Sequence, residues 1–191
     1  MKSRQGFTRP ELEAFQGATV DDLLGPSVRL LFVGINPGLW TAAANAHFAR
    51  PGNRFWPALS RAGITSTLVD ASRGMGDIDL AMVHQRGIGI TNLAPMASAR
   101  ADELTTAQLR DGAARLVELV GRIRPKVVAV LGLTAYRHAF GRPATTAGRQ
   151  DHDLAGAELW VLPNPSGLNA HETLDSLAEA YGAAARAAGI V

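Results

Sequence analysis

Two short stretches combine residue types that could hold a polar ligand: Gly-Ile-Asn-Pro-Gly at 34–38 and Asn-Pro-Ser-Gly-Leu-Asn-Ala-His at 164–171. Each sets an Asn-Pro pair near a glycine. The proline ring locks one backbone torsion, the glycine frees another, and an amide side chain is left at the turn. An amide does not titrate, so it is no strong base, but its carbonyl oxygen can orient a water and its two N–H groups can hydrogen-bond a ligand. Asn, Pro and Gly also dominate ordinary turns, so either loop taken alone reads first as a plain connection.

Other chemistries find little support. No Gly-x-Gly-x-x-Gly follows the first apolar run and there is no Gly-Lys-Ser/Thr loop, so neither a dinucleotide nor a nucleoside triphosphate fingerprint is present. The histidines, His47, His84, His138, His152 and His171, form no His-x-x-x-His pair. Asp-His-Asp at 151–153 lies in a polar stretch and reads as a solvated turn. No Gly-x-Ser-x-Gly elbow occurs, and Ser166 has no base partner identifiable in the sequence.

The elements that must position the two loops show as hydrophobic patterns. Residues 28–35, 87–93, 126–132 and 158–163 read as strands, most of them continuously apolar, as parallel strands buried on both faces are. Helical spacing joins Leu109, Ala113, Leu116, Val117, Val120 and Ile123, with Thr105 and Gln108 as a capping box ahead of them and Pro125 as the stop. Asn53 can cap a helix that runs on toward Gly63, residues 134–140 form a short helix ending at Gly141, and Leu174, Leu177, Ala178, Tyr181 and Ala185 line one face of a last helix. Strands alternating with helices predict a three-layer α/β/α fold around a central, mainly parallel four-stranded sheet. Open α/β sheets bind ligands at the carboxyl ends of their strands, where both Asn-Pro loops fall.

The 191 residues suit one domain, with 1–27 as an N-terminal extension carrying a short helix. No run reaches the length of a membrane span and the N-terminus lacks a signal-peptide core, so a soluble, cytoplasmic, monomeric protein is expected, without a membrane partner. Cysteine is absent, which excludes disulfides, thiolate zinc sites and cysteine-held iron–sulfur clusters. Net charge is +2 but uneven: residues 100–149 carry nine basic and four acidic side chains, residues 150–191 one and six. The cationic block could meet phosphates or could simply be a solvated helix face.

Four segments together, Gly-Ile-Asn-Pro-Gly-Leu at 34–39, Phe-Ala-Arg-Pro-Gly-Asn-Arg-Phe-Trp at 48–56, Gly-Ile-Gly-Ile-Thr-Asn-Leu at 87–93 and Val-Leu-Pro-Asn-Pro-Ser-Gly-Leu-Asn at 161–169, resemble the mismatch-specific uracil/thymine DNA glycosylases of the uracil-DNA glycosylase superfamily. The resemblance spans about 28–181 and keeps the family's order and spacing. Branches of the superfamily with an iron–sulfur cluster need cysteines this chain lacks. The major uracil glycosylases carry Gln-Asp-Pro-Tyr where this sequence has Asn36-Pro37-Gly38, and the single-strand-selective relatives carry His-Pro-Ser where it has Asn164-Pro165-Ser166.

The resemblance implies hydrolysis of the bond between deoxyribose and base, without a cofactor or metal, on double-stranded DNA containing a mismatched or damaged base. It implies that Asn36 orients the attacking water and that Phe48 stacks on the extruded base, although Phe48 could instead be plain core. Ile35 and Phe48 are candidate backbone donors to the base. Gly38 and Thr41 belong to the same pocket, Thr41 either obstructing a 5-methyl group or facing solvent. Phe55 and Trp56 read as core. Asn164 and Ser166 would contact the flipped nucleotide, Leu168 would enter the duplex as a wedge, and Gly167 and Asn169 would address the unpaired guanine. Some relatives place an arginine shortly after the wedge; here His171 either touches phosphate in its stead or faces solvent. The function so implied is a monofunctional glycosylase excising uracil, and modified or damaged pyrimidines, from G·U mismatches to initiate base excision repair. The alternatives are a broader glycosylase for single-stranded uracil or deaminated purines, and a noncatalytic nucleic-acid-binding module.

Overall fold

Strands that must be covered on both faces can afford almost no polar side chains, and the centre of this protein is built from such strands. The computed structural model describes residues 6–167 and 169–191. β1 (Leu30–Gly34) and β3 (Val127–Leu131) are buried along their whole length. β1 pairs in parallel with β2 (Ile88–Asn92) on one side and with β3 on the other, and β3 pairs in parallel with β5 (Ala157–Leu162). The fifth strand, β4 (Gly148–Leu154), runs antiparallel to β5 at the edge, giving the order β2-β1-β3-β5-β4.

The sheet therefore has five strands rather than four, and Asp151–His152–Asp153 lies in β4 rather than in a solvated turn. Only one face of an edge strand meets the protein, so its side chains alternate between half-buried and exposed and its sequence is polar. Ala155 and Gly156, both at positive φ, make the two-residue hairpin turn into β5.

Helices cover both faces. Leu30, Phe32, Ile88, Ile90 and Leu131 form one core with Phe55, Leu59, Val83, Leu177 and Tyr181, from α3 (Phe55–Arg61), α4 (Asp77–Gln85) and α7 (Leu174–Ala188). Leu31, Val33, Val128 and Val130 pack on the other side with Leu109, Leu116, Val120 and Tyr136, from α5 (Thr106–Ile123) and α6 (Leu133–Phe140). The Thr105–Gln108 capping box opens α5, and Gly141 closes α6 in the left-handed conformation. The N-cap of α3 is Arg54 and not Asn53, which stands one residue earlier and accepts at Oδ1 from the Phe55 N–H at 2.9 Å, a turn contact leading into the helix. The chain starts with the short α1 (Arg9–Glu13), and the long connection after β1 contains α2 (Leu39–Ala44), an element the Pro- and Gly-rich sequence there does not announce. Among the described residues no helix is long and apolar enough to cross a membrane.

Candidate active site

Because β1, β2, β3 and β5 all run the same way, their carboxyl ends meet at one edge, and a cavity of about 140 Å³ opens there. Its wall draws on each strand end in turn: Gly34 to Gly38 after β1, Asn92 at the end of β2, Leu131 at the end of β3, and Asn164, Pro165 and Ser166 after β5. Thr41, His47, Phe48, Arg50 and Asn53 from the long connection, with Ala101 from beyond β2, complete it.

Asn36 is held by its nitrogen. Nδ2 donates to the Pro37 carbonyl and to Ser98 Oγ, each at 2.9 Å. Ser98 directs its own hydroxyl proton to the Arg100 carbonyl at 2.7 Å, so toward Asn36 it can only accept. Both amide hydrogens are thereby committed, and Oδ1 is left as an acceptor on a residue that lines the cavity.

A second amide is fixed from the other side. His47, 3% exposed, has its pKa lowered by burial, against the raising influence of the Asp21 carbonyl and the Asp22 charge, so the ring is neutral at neutral pH. Its Nε2 lies 2.9 Å from the Asp21 carbonyl and must carry the proton there. Nδ1 is then the acceptor, and Asn92 Nδ2 donates to it at 3.4 Å. This turns Asn92 Oδ1 toward its register partner Gly34, where a side chain would have no room: a Cβ on residue 34 would strike Oδ1 and come within 3.3 Å of Phe48 Cζ. The first glycine of the Gly-Ile-Asn-Pro-Gly loop is thus required by the amide and the ring packed over it.

Phe48 adopts φ 56, a left-handed conformation costing a non-glycine residue roughly 1–2 kcal/mol. Its ring stacks on Phe55 with centroids 3.9 Å apart, and Phe55 in turn meets Phe32 edge-on at 5.2 Å. Phe48 is therefore half core and half cavity wall, while Phe55 and Trp56 are fully core. Trp56 Nε1 donates to the His47 carbonyl at 2.9 Å and pins the segment that carries both His47 and Phe48.

Of the residues singled out in the sequence, Ile35, Asn36, Gly38, Thr41, Phe48, Asn164 and Ser166 come together on this wall, and Thr41 is buried rather than facing solvent. Gly167 lies in an adjoining cleft of about 180 Å³ between 50–53 and 166–167. Asn169 braces the same loop, its Nδ2 donating to the Asn164 carbonyl at 3.1 Å. His171 is exposed and lines neither space. Leu168 lies outside the described residues.

His47, Asn92 and Ser98 escape a reading of the sequence for chemistry. Asn92 alone left a signal, standing at the end of a strand that must neighbour β1. No arginine of the cationic middle block is among the lining residues: Arg115 donates to the Leu93 carbonyl, Arg137 to Thr145, and Arg100 and Arg149 pair with Asp102 and Glu158. The cation at the cavity is Arg50, and no carboxylate is among the lining residues. Among the described residues no cluster of His, Asp and Glu is of a size to hold a metal ion.

A neutral cavity with two oriented amides, an aromatic wall and one cation at its rim suits an uncharged planar heterocycle attached to an anionic backbone. A family model for the uracil DNA glycosylase superfamily matches residues 22–185. The chain is also similar to the solution NMR structure of a candidate uracil DNA glycosylase from Methanosarcina acetivorans, at a TM-score of 0.62 and 16% identity over 92% of this chain and 98% of the other. At that identity the likeness speaks to the fold alone: three layers around a mostly parallel sheet.

Proposed function

Given that the chain belongs to the uracil DNA glycosylase superfamily, we propose that it is a monofunctional enzyme that flips uracil out of G·U mismatched duplex DNA and hydrolyses its N-glycosidic bond. The observation that carries this reading is the pair of amides, each locked by a partner of its own, on a cavity without a carboxylate.

The flipped base lies on the Phe48 ring, a contact worth roughly 1–3 kcal/mol in comparable base–aromatic stacks. Asn92 meets its imide edge: Oδ1 accepts from the ring N–H, and the Nδ2 hydrogen not used by His47 donates to the neighbouring carbonyl. Cytosine presents the opposite pattern and is rejected. Asn36 Oδ1 holds the water that attacks the sugar as the bond to the base loosens and positive charge develops on the ring. With an amide in place of a base, proton abstraction gives little help, so the departing base must carry the negative charge well. Turnover is slow, and uracil and bases with electron-withdrawing substituents outrun thymine, whose methyl group also meets the wall that includes Thr41.

Ser166, Gly167 and Asn169 face the flipped nucleotide and the orphaned guanine, and Leu168 fills the space the base leaves. Leu168→Ala then slows excision from duplex far more than from single strands, where nothing needs extruding; equal losses on both would remove the wedge assignment. The enzyme stops at the abasic site, because strand cleavage needs an amine to form a Schiff base with the opened sugar. Lysine is confined to Lys2, outside the described residues, and Lys126, exposed at the amino end of β3 and so opposite the cavity. Borohydride should trap no protein–DNA adduct; an adduct in good yield would overturn the monofunctional assignment.

The decisive experiment incubates the protein with labelled oligonucleotides containing G·U, A·U, G·T and single-stranded uracil and cleaves abasic sites with alkali. Preferred cleavage of G·U is expected. Equal cleavage of all uracil substrates would replace mismatch specificity by a broader glycosylase, and none at all would leave a binding module.

A further inference from the structure

We infer that Arg54 is the positioning residue that holds the 164–172 loop in its DNA-engaging shape before any DNA arrives; the inference rests on the glycosylase reading above for what that loop does. Arg54 stands at the N-cap of α3, beneath the loop. Its backbone N–H donates to the Pro165 carbonyl at 3.0 Å. Its guanidinium then reaches three more carbonyls: Nη2 donates to Ser166 at 2.7 Å and Asn169 at 2.8 Å, and Nη1 donates to Glu172. One residue thus gathers the backbone on both sides of position 168.

These partners are unusual for an arginine. A half-buried guanidinium ordinarily finds a carboxylate, yet none pairs with Arg54 among the described residues, and its buried Nε has no partner. The charge is arranged around a backbone shape and not around an ion pair. The planar fork divides these bonds between two separate nitrogens in fixed directions, a spread that a lysine ammonium, with its three donors on one atom, does not reproduce. The loop's own bonds complete the shape, Ser166 N–H donating to Asn164 Oδ1 at 2.8 Å and Asn169 N–H to the Ser166 carbonyl at 3.0 Å. Gly167 sits so close to the facing turn that a Cβ there would approach the Gly52 carbonyl to 2.8 Å.

The arrangement joins the loop to the base cavity. Arg54 follows Asn53 and precedes Phe55, the ring on which Phe48 stacks, so the cavity wall and the loop share one anchor. A nucleotide held on the wall and a loop pressed into the duplex then keep a fixed spacing, and the ordering entropy of the loop is met in folding and not on binding.

The test uses the full-length protein with Arg54→Ala and Arg54→Lys, each first checked for a cooperative thermal transition, in two measurements. Hydrogen–deuterium exchange of the free protein should show faster exchange over 163–173 in both variants, with peptides from β1 and β3 unchanged. Single-turnover excision should fall on the order of tenfold or more on G·U duplex and by a clearly smaller factor on single-stranded uracil, which needs the cavity wall but no loop inside a duplex, since a misplacement of about 1 Å can cost as much as 10²-fold. Unchanged exchange over 163–173, equal losses on both DNAs, or full recovery with Arg54→Lys would each overturn the inference. A wild-type protein inactive on both DNAs would sink the glycosylase reading, while the exchange measurement would still decide whether Arg54 holds the loop.

Discussion

On the proposed function, Asn36→Ala should lower single-turnover excision of uracil from G·U duplex by on the order of 10²–10⁴-fold, the range for losing one well-placed group that acts on the reacting water. Binding to the same DNA changes little, because Phe48, Asn92 and the 164–172 loop are untouched. The two readouts separate catalysis from recognition: excision within a few-fold of wild type would show that the water is held elsewhere, and binding lost in parallel would show that Asn36 is part of the recognition surface. The surroundings also explain why this position holds an amide. The Pro37 carbonyl and the Ser98 hydroxyl, whose proton goes to Arg100, are both acceptors toward Asn36. A carboxylate in that place would face two lone pairs with none of its own protons to offer, so Asn36→Asp should not convert the enzyme into a faster one with a general base.

Much of this fold is legible in the sequence for one physical reason. A strand buried on both faces leaves a run of apolar residues whatever its neighbours are, so β1, β3 and most of β2 and β5 announce themselves locally. Capping is local too, and Thr105 with Gln108 can be read three residues apart. The edge strand β4 cannot, since its alternating burial leaves a polar string that a turn would also produce. The same division runs through the site. Asn36 and Phe48 can be found because their segments match known motifs. Ser98 and His47 act through side chains 62 and 45 residues away, and nothing in their own neighbourhoods marks them. Arg54 is harder still, because its partners are backbone carbonyls, which every residue has.

The pairing of His47 with Asn92 leads to the other large effect. In the proposed base orientation, Asn92→Ala should remove the contacts to the imide edge and empty a small volume, and excision should fall. Asn92→Asp should be worse, although it keeps the size and one acceptor. A carboxylate cannot donate to His47 Nδ1 or to a base carbonyl, and in the proposed orientation its charge would stand where the departing base becomes an anion. An unfavourable charge in a water-poor site opposes the transition state more than it opposes binding, so the loss should reach on the order of 10²–10³-fold, the converse of what a single well-placed oxyanion donor provides. The carboxylate also draws a proton onto the buried ring. The His47 pKa, lowered by burial in the wild type, rises relative to it in the variant, so the variant's stability deficit against wild type should be smallest in acid, where ring and carboxylate are both charged, and should grow as pH climbs through the variant's own value. Excision by Asn92→Asp should therefore be most nearly recovered in acid, where the new charge is matched by the imidazolium, while Asn92→Ala shows no such gain. Single-turnover rates of the three proteins across pH 5 to 8, with thermal midpoints alongside, make the comparison. If alanine and aspartate are equally impaired at every pH, the base does not leave as an anion beside residue 92, and the orientation given to it in the cavity is wrong.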